Sequence, residues 1–101
     1  LAAAYVGVQQ ARLMTARAAQ LYDLGSPEAG EASNMAKFAA ADSSLVALDQ
    51  AIQVHGGNGL AVEYGLADLW FIARLHKTAP VSREMVLNYF AQHSLGLPKS
   101  Y

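Results

Sequence analysis

Small and apolar residues recur every three or four positions along the first part of the chain, and this spacing predicts a helix over residues 1–24. Polar residues, among them Arg12 and Gln20, fall on the opposite side of that helix. Because the apolar face is rich in Gly and Ala, a second helix can pack closely against it. The predicted buried face consists of Ala3, Gly7, Ala11, Met14, Ala18 and Leu21.

A second helix is predicted to follow after a short turn and to run to about residue 54. Gly25 supplies the left-handed residue that ends many helices. Ser26 offers a capping hydroxyl, Pro27 suits the first helical position, and Glu28 complements the positive end of the helix. The predicted core positions are Phe38, Ala41, Leu45, Leu48 and Ile52, and the polar residues Asp42, Asp49 and Gln53 form a row beside them.

The remainder of the chain also shows helical spacing and no alternation typical of a strand. A third helix of about four turns is expected after a glycine-rich break, with Leu66, Leu69, Trp70 and Ala73 facing inward. A last helix is predicted over residues 80–95, ended by Gly96 and Pro98. The fold class is therefore predicted to be all-α, a four-helix up-down bundle formed by residues 1–101 as one domain.

Composition changes this picture by indicating that other protein covers part of the surface. Hydrophobic residues make up 53% of the 101 residues and charged residues 15%, which is more apolar than a free-standing helical domain of this size requires. The chain begins at Leu1, within a helical pattern and without a cap. We therefore expect it to be a fragment of a longer chain.

Charge and cysteine content exclude several classes of function. The net charge is −1 and the basic residues are scattered, so no nucleic-acid-binding surface is predicted. Without cysteine there is no disulfide framework, and His55, His76 and His93 lack the spacing of a metal site. No apolar run is long enough to span a membrane, and a cytoplasmic location is the default expectation.

The segment over residues 53–59 carries the most specific chemistry. Gly56, Gly57 and Gly59 allow positive φ angles and let backbone N–H groups approach a ligand, and successive N–H groups in such a turn can hold an anion. Gln53 adds a side-chain amide that can donate and accept. The physical alternative is a helix end followed by a tight turn, with His55 simply exposed.

Gln53-Val54-His55-Gly56-Gly57, followed by Gly59 and by Glu63-Tyr64, resembles the corresponding motif of the acyl-CoA dehydrogenase family. Asp68-Leu69-Trp70 and Ala73-Arg74-Leu75 continue the similarity downstream. The resemblance implies the C-terminal helical domain of a tetrameric flavoenzyme, in which residues 53–57 contact the ADP part of an FAD held mainly by a neighbouring subunit. It also implies an acyl-CoA substrate and an assembly that is either a homotetramer or a heteromer of related subunits.

The sequence departs from that family at Pro80. Many members have a glutamate there that removes the α-proton of the substrate, and proline has no titratable group. Ser82 and Glu84 still match positions that lie along the flavin in the family, at a predicted helix N-terminus suited to a pyrophosphate; the alternative is that they only begin the helix.

Three explanations of Pro80 are open. The base lies on an earlier helix, as in some family members, and this is the favoured interpretation. Otherwise the chain is an incomplete subunit of a heteromer, or Glu84 is a displaced base, although one helical turn would move it by about 5 Å. In a different class, the chain is a non-enzymatic helical interaction module, which the glycine motif argues against.

Overall fold

Two long antiparallel helices dominate the computed structural model, which describes residues 1–99. Helix α1 spans Ala2–Asp23 and α2 spans Ala29–Val54. The turn between them contains Gly25 at φ 65°, where the Ser26 N–H donates to the Leu21 carbonyl and the Gly25 N–H to the Tyr22 carbonyl, both at 2.9 Å. This is the glycine-ended helix terminus predicted from the sequence, and it directs the chain back along α1.

The contact between α1 and α2 is built from small side chains. Ala18 and Leu21 of α1 form a buried cluster with Ala32 and Ala36 of α2. Near the other end, a Cβ added to Gly7 would lie 3.0 Å from the Ser43 hydroxyl, so the glycine permits a close approach of the two helices. The small-residue face predicted for the first helix is confirmed over most of its length, with Ala4 buried in place of Ala3.

The third helix is much shorter than predicted. Two short 3-10 segments, Gly56–Leu60 and Val62–Tyr64, separate α2 from α3, and α3 spans only Leu69–Leu75. Ala61 is extended and Gly65 is left-handed, so a continuous helix cannot pass through residues 61–65. The expectation of four turns was wrong for this reason.

The predicted inward face of that helix is also wrong for two of its members. Ala73 is buried, but Leu69 is 50% and Trp70 is 47% exposed. Because the apolar periodicity of residues 66–73 belongs to two different local conformations, it does not place these side chains on one buried face.

Helix α4 spans Arg83–His93, and it starts three residues later than predicted. Ser82 is its N-cap, since the Ser82 hydroxyl accepts the N–H of Met85 at 3.2 Å. Val86 is the most deeply buried large side chain, at 1% exposure. Both α3 and α4 pack against α2. Residues 1–99 thus form four helices and no strand, as the all-α assignment predicted.

The hydrophobic core of this chain is thin. Its buried hydrophobic residues are mostly alanines, while many large apolar side chains are exposed across residues 60–75. The most exposed of these are Leu60, Val62, Tyr64, Phe71 and Ile72. None of the helices within residues 1–99 is long and apolar enough to cross a membrane. Clustered apolar side chains of this kind are typical of an interaction surface.

We expect the isolated 101-residue chain not to behave as a stable monomer, because its alanine core stabilises little and its apolar surface favours association. Sedimentation velocity should show self-association or aggregation, and far-ultraviolet circular dichroism should show a broad thermal transition. A monodisperse monomer that unfolds in one sharp transition would contradict this expectation.

Candidate functional site

The glycine-rich segment begins where α2 ends, and only its first glycine needs a left-handed backbone. Gly56 has φ 56°, whereas Gly57 and Gly59 have no positive φ. The interpretation that all three glycines supply positive φ angles is therefore corrected: Gly56 alone turns the chain away from the helix axis. Gly57 has no atom within 4 Å of an added Cβ, so its surroundings are open.

Gly59 has a different role, which the sequence did not distinguish. It is buried, and a Cβ built there would lie 2.4 Å from the carbonyl oxygen of Ile52 and 2.9 Å from its Cα. The 3-10 segment thus folds back directly onto the last turns of α2. Only a residue without a side chain fits between these two stretches of backbone.

His55 holds the end of α2 in place. Its Nδ1 donates to the Ala51 carbonyl at 2.8 Å, which fixes the hydrogen on that nitrogen because a carbonyl oxygen can only accept. Its ring also meets the edge of Tyr64, with centroids 6.1 Å apart, and so links α2 to the second 3-10 segment. The imidazole therefore has a local structural role, in addition to any contact with a ligand.

Two backbone amides of this segment are available to a ligand. The His55 N–H donates to the carbonyls of Ala51 and Ile52, but within residues 1–99 the N–H groups of Gly56 and Gly57 donate to no protein acceptor. Gln53, one turn earlier, is exposed. The carbonyls at the end of α2 repel an anion, so a phosphate at this end of the helix would bind the two glycine amides.

A second group of predicted site residues lies at the start of α4. Ser82 uses its hydroxyl as the N-cap, and Glu84 follows in the first turn with an exposed side chain. Pro80 precedes them and lines an open cavity of about 350 Å³ between α2 and the α3–α4 connection. The other lining residues are Lys37, Ala40, Ala41, Ser44, His76 and Ala79.

The two groups are far apart within this chain. The Lys37 ammonium donates to the Val81 carbonyl, and Asp42 pairs with Arg83, so the start of α4 lies beside the middle of α2. Gln53 is farther along the same helix, about 24 Å from Lys37 and about 16 Å from Asp42 at roughly 1.5 Å per residue. Residues 53–57 and the pair Ser82 and Glu84 therefore do not form one compact pocket. Residues 1–99 also hold no cluster of three or more potential metal ligands.

The comparisons with known proteins decide the family. The family model described as "Acyl-CoA dehydrogenase, C-terminal domain" matches residues 1–95, which include both groups of site residues. The chain belongs to the acyl-CoA dehydrogenase family. Its all-helical structure is consistent with the C-terminal helical domain of that family of oxidoreductases.

Relatives from distant organisms support this membership. "Acyl-CoA dehydrogenase FadE12" of Mycobacterium tuberculosis is 58% identical over all of this chain, which spans 26% of that protein. "Acyl-CoA dehydrogenase family member 11" of Rattus norvegicus is 35% identical over 94% of the chain, and "Probable acyl-CoA dehydrogenase IBR3" of Arabidopsis thaliana is 40% identical over 78%. The chain covers 12% and 10% of these two proteins, respectively. No solved structure matches the chain.

Proposed function

We propose that this chain acts as the C-terminal part of an FAD-dependent acyl-CoA dehydrogenase, an enzyme that introduces an α,β double bond into an acyl-CoA thioester. The observation that carries the proposal is that the Gly56 and Gly57 amides donate to no acceptor among residues 1–99, within the motif by which the chain resembles its family. Together with Gln53 they offer donors to the ADP part of a flavin nucleotide.

The reaction removes a proton from Cα of the substrate and a hydride from Cβ, and bound FAD supplies the hydride acceptor. The role of the residues in this chain is to bind and orient the cofactor. The amides of Gly56 and Gly57 would donate hydrogen bonds to phosphate oxygens of the cofactor, with Val54 and His55 beside them. The Ser82 cap fixes the start of α4, with Glu84 in its first turn, and these two residues would bind the flavin there.

We infer that one chain contacts two different flavins. The two groups lie about 16 to 24 Å apart along α2, so they do not bind the same part of one flavin. The resemblance to the family implies that residues 53–57 bind the flavin of a neighbouring subunit, and we assign Ser82 and Glu84 to the flavin of their own subunit. The exposed apolar side chains of residues 60–75 support an interface between subunits, in a homotetramer or a heteromer of related subunits.

Pro80 separates this function from a second candidate. Proline cannot accept the substrate α-proton, so a complete enzyme takes its base from another part of the protein, as members with a base on an earlier helix do. The cavity beside Pro80 is open and is lined partly by Ala40 and Ser44, which leaves room for such a residue. The second candidate, favoured by the same proline, is an incomplete subunit that contributes flavin contacts to an active partner.

Substitutions at Pro80 and Glu84 in the full-length flavin-loaded protein test the assignment. Pro80→Ala removes no titratable group, so the rate of flavin reduction by an acyl-CoA should stay within about twofold of the unmodified protein. Glu84→Gln should lower FAD affinity more than it lowers the rate at saturating FAD. The measurement is stopped-flow flavin absorbance, with FAD occupancy determined on the same sample.

The outcomes are well separated. Loss of one acid–base group reduces a rate by about a hundredfold to ten-thousandfold. A collapse of that size in Glu84→Gln at full FAD occupancy would show that Glu84 is the base. Absence of flavin reduction in the unmodified protein, with FAD bound, would favour the incomplete subunit.

A further inference from the structure

The connection between α3 and α4 is closed at both ends by one carboxylate of α2. Asp42 Oδ1 lies 2.7 Å from the Lys77 ammonium, and Asp42 Oδ2 lies 3.6 Å from Nε of Arg83. The Arg83 N–H also donates to the Lys77 carbonyl at 2.8 Å, so the two ends of the connection meet. Residues 78–82, which include Pro80, form the loop between these ends.

Further contacts hold this loop against the same helix. The Arg83 guanidinium lies over the ring of Phe38, 4.9 Å from its centroid, and the Lys37 ammonium binds the Val81 carbonyl. The Asp42 side chain is 31% exposed, and those of Lys77 and Arg83 are 22% and 39% exposed. The carboxylate is thus partly shielded from solvent. Salt therefore screens its charge less than that of a fully exposed carboxylate and more than that of a buried one.

We propose that Asp42 is a positioning residue for the proposed dehydrogenation: it fixes the loop 78–82 and thereby the location of Pro80 and Ser82 along the flavin. The catalytic consequence of this inference rests on the proposed function. The two ion pairs of Asp42 with Lys77 and Arg83, which we call the Asp42 clamp, are a property of this chain. Asp42 does not contact the reacting atoms. It acts by holding the two cations that end the loop.

A single exposed ion pair stabilises little, but Asp42 differs because its two partners stand at opposite ends of one loop. Replacing the carboxylate with a neutral amide leaves Lys77 and Arg83 facing each other as like charges. Their repulsion separates the loop ends and weakens the backbone bond between them. The start of α4, which the proposed function assigns to the flavin, moves with these loop ends, and a displacement of about 1 Å of the flavin relative to the substrate can lower a rate by about a hundredfold.

Amide hydrogen exchange in the full-length flavin-loaded protein tests the clamp without relying on activity. In Asp42→Asn, exchange at Arg83 and at Ala79, whose N–H donates to the Leu75 carbonyl, should accelerate about tenfold, while α1 amides stay unchanged. Asp42→Glu keeps the charge and should exchange close to the unmodified protein. Asp23→Asn is the matched control, because Asp23 is an exposed helix carboxylate without an ion pair among residues 1–99.

Flavin reduction supplies the second measurement. Asp42→Asn should reduce the rate at saturating acyl-CoA and full FAD occupancy by about tenfold to a hundredfold, and Asp42→Glu should recover most of it. Unchanged exchange at Ala79 and Arg83 would overturn the clamp. Faster exchange with an unchanged rate would overturn the positioning role.

Failure of the proposed function itself is distinguishable from failure of this inference. If acyl-CoA does not reduce the flavin of the unmodified protein, the dehydrogenase assignment fails, while the exchange experiment still decides whether Asp42 holds the loop. If Asp42→Asn does not fold, Lys77→Gln replaces it, because this change removes the ion pair at one end of the loop and leaves Arg83 beside the carboxylate. Unchanged exchange at Ala79 in Lys77→Gln would then contradict the clamp.

Discussion

Replacing Gly59 with alanine is expected to lower the free energy of unfolding of the full-length protein by about 3 kcal/mol. The added Cβ would lie 2.4 Å from the Ile52 carbonyl oxygen, which is backbone and cannot move without disturbing the last turns of α2. Those turns carry Gln53 and His55, so FAD content should fall together with stability. Thermal unfolding and the flavin absorbance of the purified protein measure both effects.

Gly57→Ala is the matched control for this substitution. The two glycines belong to the same 3-10 segment, but an added Cβ at Gly57 meets no atom within 4 Å. The melting temperature of Gly57→Ala should therefore stay within about 2 °C of that of the unmodified protein, since the substitution affects neither packing nor a positive φ. Equal destabilisation by the two substitutions would show that the close packing at Gly59 is not what requires glycine.

The two long helices were predictable because their signals are local. The apolar period of α1 extends over 22 residues, and Gly25 stops it where a left-handed residue is required. The small residues of α1 and α2 then leave an antiparallel pair as the arrangement that buries both faces. Residue spacing and one turn thus determine most of the architecture.

The region after α2 was not predictable to the same degree. Apolar positions in residues 66–73 suggest a long helix, but Ala61 is extended and Gly65 is left-handed, so the chain bends twice before α3 begins. The side chains of Leu69 and Trp70 are about half exposed in this chain. Periodicity cannot distinguish a face that packs within a chain from one that packs against another protein.

The candidate site was likewise predictable from the sequence only in part. The motif of residues 53–59 identified the location, but the roles of its glycines depend on a tertiary contact with Ile52 and one backbone angle at Gly56, which sequence spacing does not reveal. The Asp42 clamp was missed because its partners, Lys77 and Arg83, are more than 30 residues away in sequence. Asp42 in the polar row of α2 was the available signal, but the spacing of that row does not show whether its members face solvent or an ion pair.

Replacing Gly57 with valine is expected to weaken FAD binding by about tenfold to a hundredfold, with little change in the stability of the protein without cofactor. Gly57 has no positive φ and open surroundings, so valine strains nothing locally, but its branched side chain keeps a phosphate away from the Gly56 and Gly57 amides. Hydrogen bonds to a charged group are worth about 1.5–3 kcal/mol, which corresponds to that change in affinity. Equilibrium titration with FAD measures it, and Gly30→Val, at an equally open glycine near the other end of α2, is the control. If Gly57→Val retains one FAD per chain with unchanged affinity, residues 53–57 do not bind the cofactor and the proposed function loses its main support.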